Sequence, residues 1–175
     1  RTNVAVDQRI AVADRRGLRA VEIDTGQILE HLVRIVVIEA GEVQDRPPPE
    51  RVERWSRIAR EAAKQSKQLM VPPVLFAGSI EQALEHPRVV AARSVVLQPE
   101  APSSLAELVA DIPAASGHMD AVVLWVGPEG GWAADELTAF SARGMTMARL
   151  GRGVLRTETA GPVSVAVTRV ALKDW

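Results

Sequence analysis

The chain has 175 residues, 47% hydrophobic and 25% charged, which suits one compact α/β or α+β domain with a substantial core. A formal net charge of -1 gives no overall pull toward nucleic acid or an anionic membrane, so a polyanionic partner has to be met by a local patch. The absence of cysteine excludes disulfides, thiolate nucleophiles, zinc ribbons and iron–sulfur clusters.

No apolar run approaches the roughly 20 residues of a membrane-spanning helix. The opening RTNVAVDQRI also lacks the basic-then-apolar order of a secretory signal, so the expectation is a soluble, cytoplasmic protein with no membrane partner. His31, His86 and His118 are scattered without metal-ligand spacing, and no metal is expected.

Residues 1–24 alternate apolar and polar around a DRRG turn, the pattern of a short hairpin. IVVIEA at 35–40 is a β-branched strand run, and the proline-rich GEVQDRPPPE after it sets a boundary near residue 48. From Glu50 a helix is predicted over ERVERWSRIAREAAKQSKQL, with Val52, Trp55, Ile58, Ala59, Ala62, Ala63 and Ser66 on its apolar face. Arg57, Arg60, Lys64 and Lys67 form a stripe on the other side. That stripe suits a phosphate backbone, or equally a solvated face supported by Glu53–Arg57 and Arg57–Glu61 pairs.

Strand-then-helix units follow. Ser79 with Gln82 and Ser104 with Glu107 are capping boxes opening two helices, and SVVLQPE between them is a strand. AVVLWV at 121–126 reads as a strand covered on both faces. It is followed by GPEGG, by a helix over ADELTAFSARG that stops at Gly144, and by a buried strand TMARL at 146–150. This alternation predicts a mostly parallel sheet flanked by helices. The last segment is ambiguous between a VSVAV strand and a helix with Val163, Ala166, Val167, Val170 and Ala171 on one face; Pro162 at a first-turn position favours the helix.

Ligands of open α/β sheets bind beyond the carboxyl ends of the strands. Two strands here run into glycine-rich loops, GPEGG and the start of LGRGVLRTETA. GPEGG has neither the G-x-G-x-x-G order nor the lysine of a P-loop, and Glu129 would repel a phosphate. A carboxylate there suits a positive centre or ribose hydroxyls.

Taken together, ERWSRIAREAAKQS, LWVGPEGG and LGRGVLRTETA resemble the RsmE-type ribosomal RNA uracil-N3 methyltransferases of the SPOUT superfamily over roughly residues 50–172. The resemblance implies an α/β domain with a deep trefoil knot, a homodimer, S-adenosylmethionine as cofactor and small-subunit ribosomal RNA as substrate. It also implies that residues 1–24 are a remnant of an N-terminal PUA-like β-barrel and that 25–175 form the SPOUT domain. The chain departs from the family's pattern where it reads TGQILEHLV and EAGEVQDR, which puts the RNA-contacting loop there in doubt.

By the same resemblance, Leu150, Val154 and Leu155 would read the adenine and Gly127, Glu129 and Gly130 would face the ribose and methionine part. Leu97, Gly151, Thr159 and Ala160 complete the expected cofactor site. Arg156 is expected to stabilise the uracil oxygens and Glu158 to accept the N3 proton, unless Glu158 simply caps the last helix and pairs with Arg156. Arg57, Arg60, Lys64 and Lys67 are the expected RNA contacts. Two readings compete: another SPOUT methyltransferase, acting on transfer RNA or a ribose hydroxyl, and a non-catalytic RNA-binding or ribosome-assembly module. An aromatic content of 3% without tyrosine leaves the latter little for base stacking.

Overall fold

The computed structural model describes residues 10–11, 18–23, 34–39, 49–67, 71, 74–77, 79–111 and 121–172. The DRRG turn, TGQILEHLV, the proline-rich break before residue 49, His31 and His118 lie outside the described residues. In chain order the elements are β1 (Ile10–Ala11), β2 (Leu18–Ile23), β3 (Arg34–Glu39), α1 (Pro49–Gln65), β4 (Val74–Ala77), α2 (Ile80–Leu84) and α3 (Pro87–Val90). They continue as β5 (Arg93–Leu97), α4 (Leu105–Ala110), β6 (Ala121–Val126), α5 (Ala134–Ala142), β7 (Thr146–Ala148) and α6 (Thr157–Ala171).

The strands form one sheet in the order β1-β4-β2-β3-β6-β5-β7. β3, β6, β5 and β7 run parallel to one another, and β2 pairs antiparallel with β1, β3 and β4. Because side chains alternate along a strand, β5 and β6 each feed two apolar layers. Val96, Val123 and Trp125 pack with Ile80, Ala83 and Leu84 of α2, with Val89 of α3 and with Phe140 of α5. Val95, Leu97, Val122, Leu124 and Val126 pack on the opposite side with Leu105 and Val109 of α4 and Ala160 of α6. A strand buried on both faces has to be apolar throughout, which is why AVVLWV carries no polar residue. Trp125 meets Phe140 with ring centroids 5.2 Å apart. Its Nε1 is buried with no hydrogen-bond partner among the described residues, a cost of about 1–3 kcal/mol that the packing of the ring offsets.

The helix boundaries follow local chemistry. Ser104 accepts from the Glu107 N–H at 3.2 Å and Glu107 accepts from the Ser104 N–H at 2.8 Å, completing the predicted box, and Ser79 caps α2 by accepting from the Gln82 N–H. α5 stops before Gly144, whose φ of 67° lies in the left-handed region that a side chain disfavours.

Four expectations need correction. α1 ends at Gln65 rather than Leu69: the Ser66 hydroxyl donates to Ala62 O at 2.8 Å, and the backbone leaves the helix at Lys67 with φ 55°, so Lys67 is not in the Arg57, Arg60, Lys64 stripe. The apolar face of α1 is only partly covered, with Ala63 buried and Ile58 55% exposed. α6 begins at Thr157, which puts Pro162 sixth in the helix. It therefore lies past the first turn, where its missing N–H would have gone unused anyway. The face of α6 turned to the core is also rotated from the one expected: Ala160, Ser164 and Thr168 are buried while Val170 is 62% exposed. No helix among the described residues is long and apolar enough to cross a membrane.

Candidate functional site

β5, β6 and β7 run parallel, so their carboxyl ends meet at one edge and the chain leaving each contributes one wall of a cavity of about 440 Å3, within the usual range for small-molecule sites. The first loop, after β5, supplies Leu97, Gln98 and Glu100; the second, after β6, supplies Gly127 to Trp132; the third, after β7, supplies Leu150, Gly151 and Gly153 to Leu155. Thr157 and Ala160 close the floor from the first turn of α6.

The first loop is tied to the end of β7 by backbone bonds from Gln98 N to Ala148 O at 2.8 Å and from Arg149 N to Ser103 O at 3.0 Å. The capping box then fixes where this loop becomes α4. The Ser104 backbone hydrogen bond, helped by the Ser104 side chain, holds the Glu107 carboxyl below its ordinary value.

The glycines fall into distinct classes. Gly131 has φ 77°, so the turn GPEGG depends on its last position being glycine for conformation. An added Cβ at Gly127 would lie 3.1 Å from Trp132 Nε1, whereas at Gly130, Gly151 and Gly153 it would meet nothing within 4 Å. The main chain at these three lining positions is thus bare toward open space. Glu100 and Glu129 bring carboxylates to the lining, and no lysine, arginine or histidine is among the described lining residues.

Of the ten residues expected at a cofactor, nine line this one cavity: Leu97, Gly127, Glu129, Gly130, Leu150, Gly151, Val154, Leu155 and Ala160. Thr159 does not. It lies on α6 rather than in a loop, and at 100° per residue the helix that turns Thr157 and Ala160 to the cavity turns Thr159 to solvent. Arg156, the N-cap of α6, and Glu158 in its first turn are exposed and also lie outside the lining, although each adjoins a lining residue in the chain. Arg57, Arg60 and Lys64 are exposed on α1. Lys64 pairs with Glu61 at 2.9 Å; the expected Glu53–Arg57 and Arg57–Glu61 pairs are not among the ion pairs of the described residues.

Sequence reasoning missed Gln98, Glu100, Gly131, Trp132 and Thr157. The signal for Glu100 was present in the QPE that ends the SVVL strand. Trp132 carried no periodic signal, since it belongs to neither the strand before it nor the helix after it. Among the described residues no group of three or more His, Asp or Glu is placed to hold a metal ion.

The family model of the RNA methyltransferase domain matches residues 30–169. The ribosomal RNA small subunit methyltransferase E of Mycobacterium bovis is 38% identical over 125 residues, covering 70% of this chain and 45% of that protein. The protein of the same name from Synechocystis is 33% identical over 135 residues, 74% of this chain and 42% of its own. A crystal structure of ribosomal RNA small subunit methyltransferase E from Neisseria gonorrhoeae bound to S-adenosyl methionine superposes with a TM-score of 0.60 at 30% identity, covering 73% of this chain and 52% of that one. The chain therefore spans about half the length of the relatives it matches. With a family match that runs from β3 into α6 and takes in all three cavity loops, the chain belongs to the RNA methyltransferase domain family.

Proposed function

We propose that this chain is the catalytic domain of an S-adenosylmethionine-dependent methyltransferase acting on a uracil N3 of small-subunit ribosomal RNA. The observation that carries the reading is the cavity at the ends of β5, β6 and β7: it offers bare glycine backbone, apolar walls and two carboxylates, with no described cation in its lining. Such a site disfavours a nucleoside triphosphate and suits a nucleoside with hydroxyl donors and a positive centre. The names of the relatives and the cofactor in the Neisseria gonorrhoeae structure support the same substrate and donor.

In this reading Leu150, Val154 and Leu155 wall the adenine. Glu129 and Glu100 face the ribose and the charged amino-acid end, and Gly127, Gly130 and Gly151 let the main chain approach. Bound there, S-adenosylmethionine supplies an electrophilic methyl group on a sulfonium. The protein's task is to orient the uracil in line with that methyl and to exclude water. Uracil N3 carries a proton at neutral pH, so the site also needs a proton acceptor and a stabiliser for the charge left on the ring oxygens. Glu158 takes the first role and Arg156, with its planar fork, the second; both project from the start of α6 beside cavity residues Leu155 and Thr157. Arg57, Arg60 and Lys64 on the exposed side of α1, with Lys67 just beyond it, hold RNA phosphates.

The finer architecture belongs to the same proposal. A trefoil knot is supported by the path of the chain: β7 ends against the 98–105 segment, with bonds to Gln98, Ser103 and Leu105, and the chain then returns to the end of β6, where Thr157 reaches Gly127 O. A homodimer is supported by Val170, an apolar side chain 62% exposed on α6. A barrel-derived segment over 1–24 and a methyltransferase domain over 25–175 are supported by the contrast between β2, which pairs antiparallel with β1, β3 and β4, and the all-parallel set β3, β6, β5 and β7.

Calorimetry with S-adenosylmethionine and with ATP tests the reading. Saturable uptake of the first and none of the second is expected. Uptake of ATP alone would make the cavity a nucleotide site and refute the reading, and no uptake of either would leave a bare RNA-binding module as the better account.

A further inference from the structure

Each of the three cavity loops is joined to another by one side chain donating to a backbone carbonyl. Trp132 Nε1, at the end of the second loop, donates to Leu97 O of the first at 3.0 Å. Thr157 Oγ1, where the third loop enters α6, donates to Gly127 O of the second at 2.9 Å. Arg149 Nη1, where the third loop begins, donates to Ala101 O of the first at 3.0 Å and also to Pro102 O. The three links connect first to second, second to third and third to first, so they close a ring around the cavity.

We propose that this ring holds the cofactor cavity preformed, with Arg149 acting as a positioning residue from outside the lining and Trp132 as the brace between the strand-end loops. The proposal rests on the reading of the cavity as an S-adenosylmethionine site. Backbone bonds already fix the two ends of the first loop at Gln98 and Ser103; the Arg149 guanidinium holds the stretch between them at Ala101 and Pro102, and the Trp132 indole holds Leu97, where β5 gives way to the loop. The indole is itself held, edge-on to Phe140 at 4.9 Å and 85°. It reaches Leu97 O over a residue that has no Cβ, since one at Gly127 would lie 3.1 Å from Nε1. Holding loops in place before the ligand arrives removes the ordering entropy that binding would otherwise have to overcome.

A ring makes a prediction that three separate hydrogen bonds do not. With one link cut, the other two still connect all three loops; with two cut, one loop loses both of its links. Trp132→Phe keeps the packed ring and removes the donor, and Arg149→Met keeps the stem and removes the guanidinium. Each alone should weaken S-adenosylmethionine binding about threefold, the lower end of what one hydrogen bond contributes. The double variant leaves the first loop held only by its backbone bonds to Ala148 and Arg149 and should weaken binding by clearly more than the product of about ninefold, because the two changes share one loop. Arg149→Lys, which retains a donor, should fall between the parental chain and Arg149→Met.

The measurement is calorimetric affinity for S-adenosylmethionine across the parental chain, the two single variants, the double variant and Arg149→Lys, with urea unfolding of each in parallel. Fold-changes that simply multiply, or unfolding midpoints that drop while the affinity of the folded proteins stays at the parental value, would overturn the ring. A parental chain that takes up no S-adenosylmethionine would instead remove the functional reading, and this inference with it.

Discussion

Gly151 and Gly131 are both cavity glycines, and the structure predicts opposite outcomes for replacing them with alanine. At Gly151 an added Cβ meets nothing within 4 Å and the φ angle is not in the left-handed region; at Gly131 φ is 77°. Gly151→Ala should therefore fold normally and gain about 0.4–1 kcal/mol from the reduced freedom of the unfolded chain, a rise of about 1–4 °C in melting temperature for a chain of this size. The new methyl group points into space that the cofactor is proposed to fill, so affinity for S-adenosylmethionine should drop about tenfold, equivalent to about 1.4 kcal/mol of steric cost. Gly131→Ala should lose about 1–2 kcal/mol of stability from a side chain at positive φ, about 2–8 °C, with the binding loss following from the distorted turn. Calorimetry paired with thermal unfolding reads both quantities. A Gly151→Ala protein that melts below the parental chain, or binds as tightly as it, would refute the assignment of that face of the glycine to the ligand.

The remaining predictions address the proposed RNA contacts, the chemistry and the caps. Changing Arg57 and Arg60 to glutamine should weaken RNA binding and reduce the slope of log affinity against log salt by about one unit per lost phosphate contact, while S-adenosylmethionine affinity stays put; an unchanged slope would make the stripe a solvated face. Arg156→Lys should lower single-turnover methylation far more than cofactor affinity, because neither Arg156 nor Glu158 lines the cavity. Glu158→Gln should do the same and be partly rescued by raising pH, as uracil N3 itself deprotonates; a parental rate and pH profile would leave Glu158 as a helix-start residue. The Glu107 carboxyl is lowered from 4.5 by its bonds to Ser104, so its contribution to stability is present above the ordinary carboxylate range and is lost as pH falls through the lowered value. Glu107→Gln should accordingly melt below the parental chain at neutral pH and converge with it in acid; a gap that stays constant down the acid range would contradict the capping assignment.

Much of the central sheet was legible because its determinants are local. AVVLWV carries the uninterrupted apolar pattern that a doubly covered strand requires, RSVVL carries it over its last three residues, and Ser104 with Glu107 marks a helix start within four residues. What misled were rules applied without their context. Proline is favoured in a helix's first turn, but Pro162 sits sixth, and that shift moved Thr157 to Ala160 from loop to helix and took Thr159 out of the cavity. The apolar face of α1 was correctly periodic, yet periodicity says nothing about whether a partner covers it, and Ile58 remains 55% exposed. The position of β4 between β1 and β2 depends on pairings across some 60 residues of chain, for which short-range patterns carry no information.

The same division explains the candidate site. Its glycine backbone and the Glu129 carboxylate are properties of residue types and could be read from GPEGG and GRG before any fold was known, whereas the exclusion of Arg152 from the lining could not. Its shape depends on Trp132 reaching Leu97, 35 residues away in the chain, and on Arg149 reaching Ala101 over 48. Trp132 directly follows GPEGG and Arg149 directly precedes LGRGVLRTETA, but neither belongs to its motif and neither would be chosen as functional by its chemistry. Residues of the first kind decide which ligand the cavity accepts, and residues of the second kind decide how much ordering that ligand must impose. A change at Glu129 should therefore alter the preference between ligands of different charge, whereas a change at Arg149 should weaken all ligands of the cavity by a common factor.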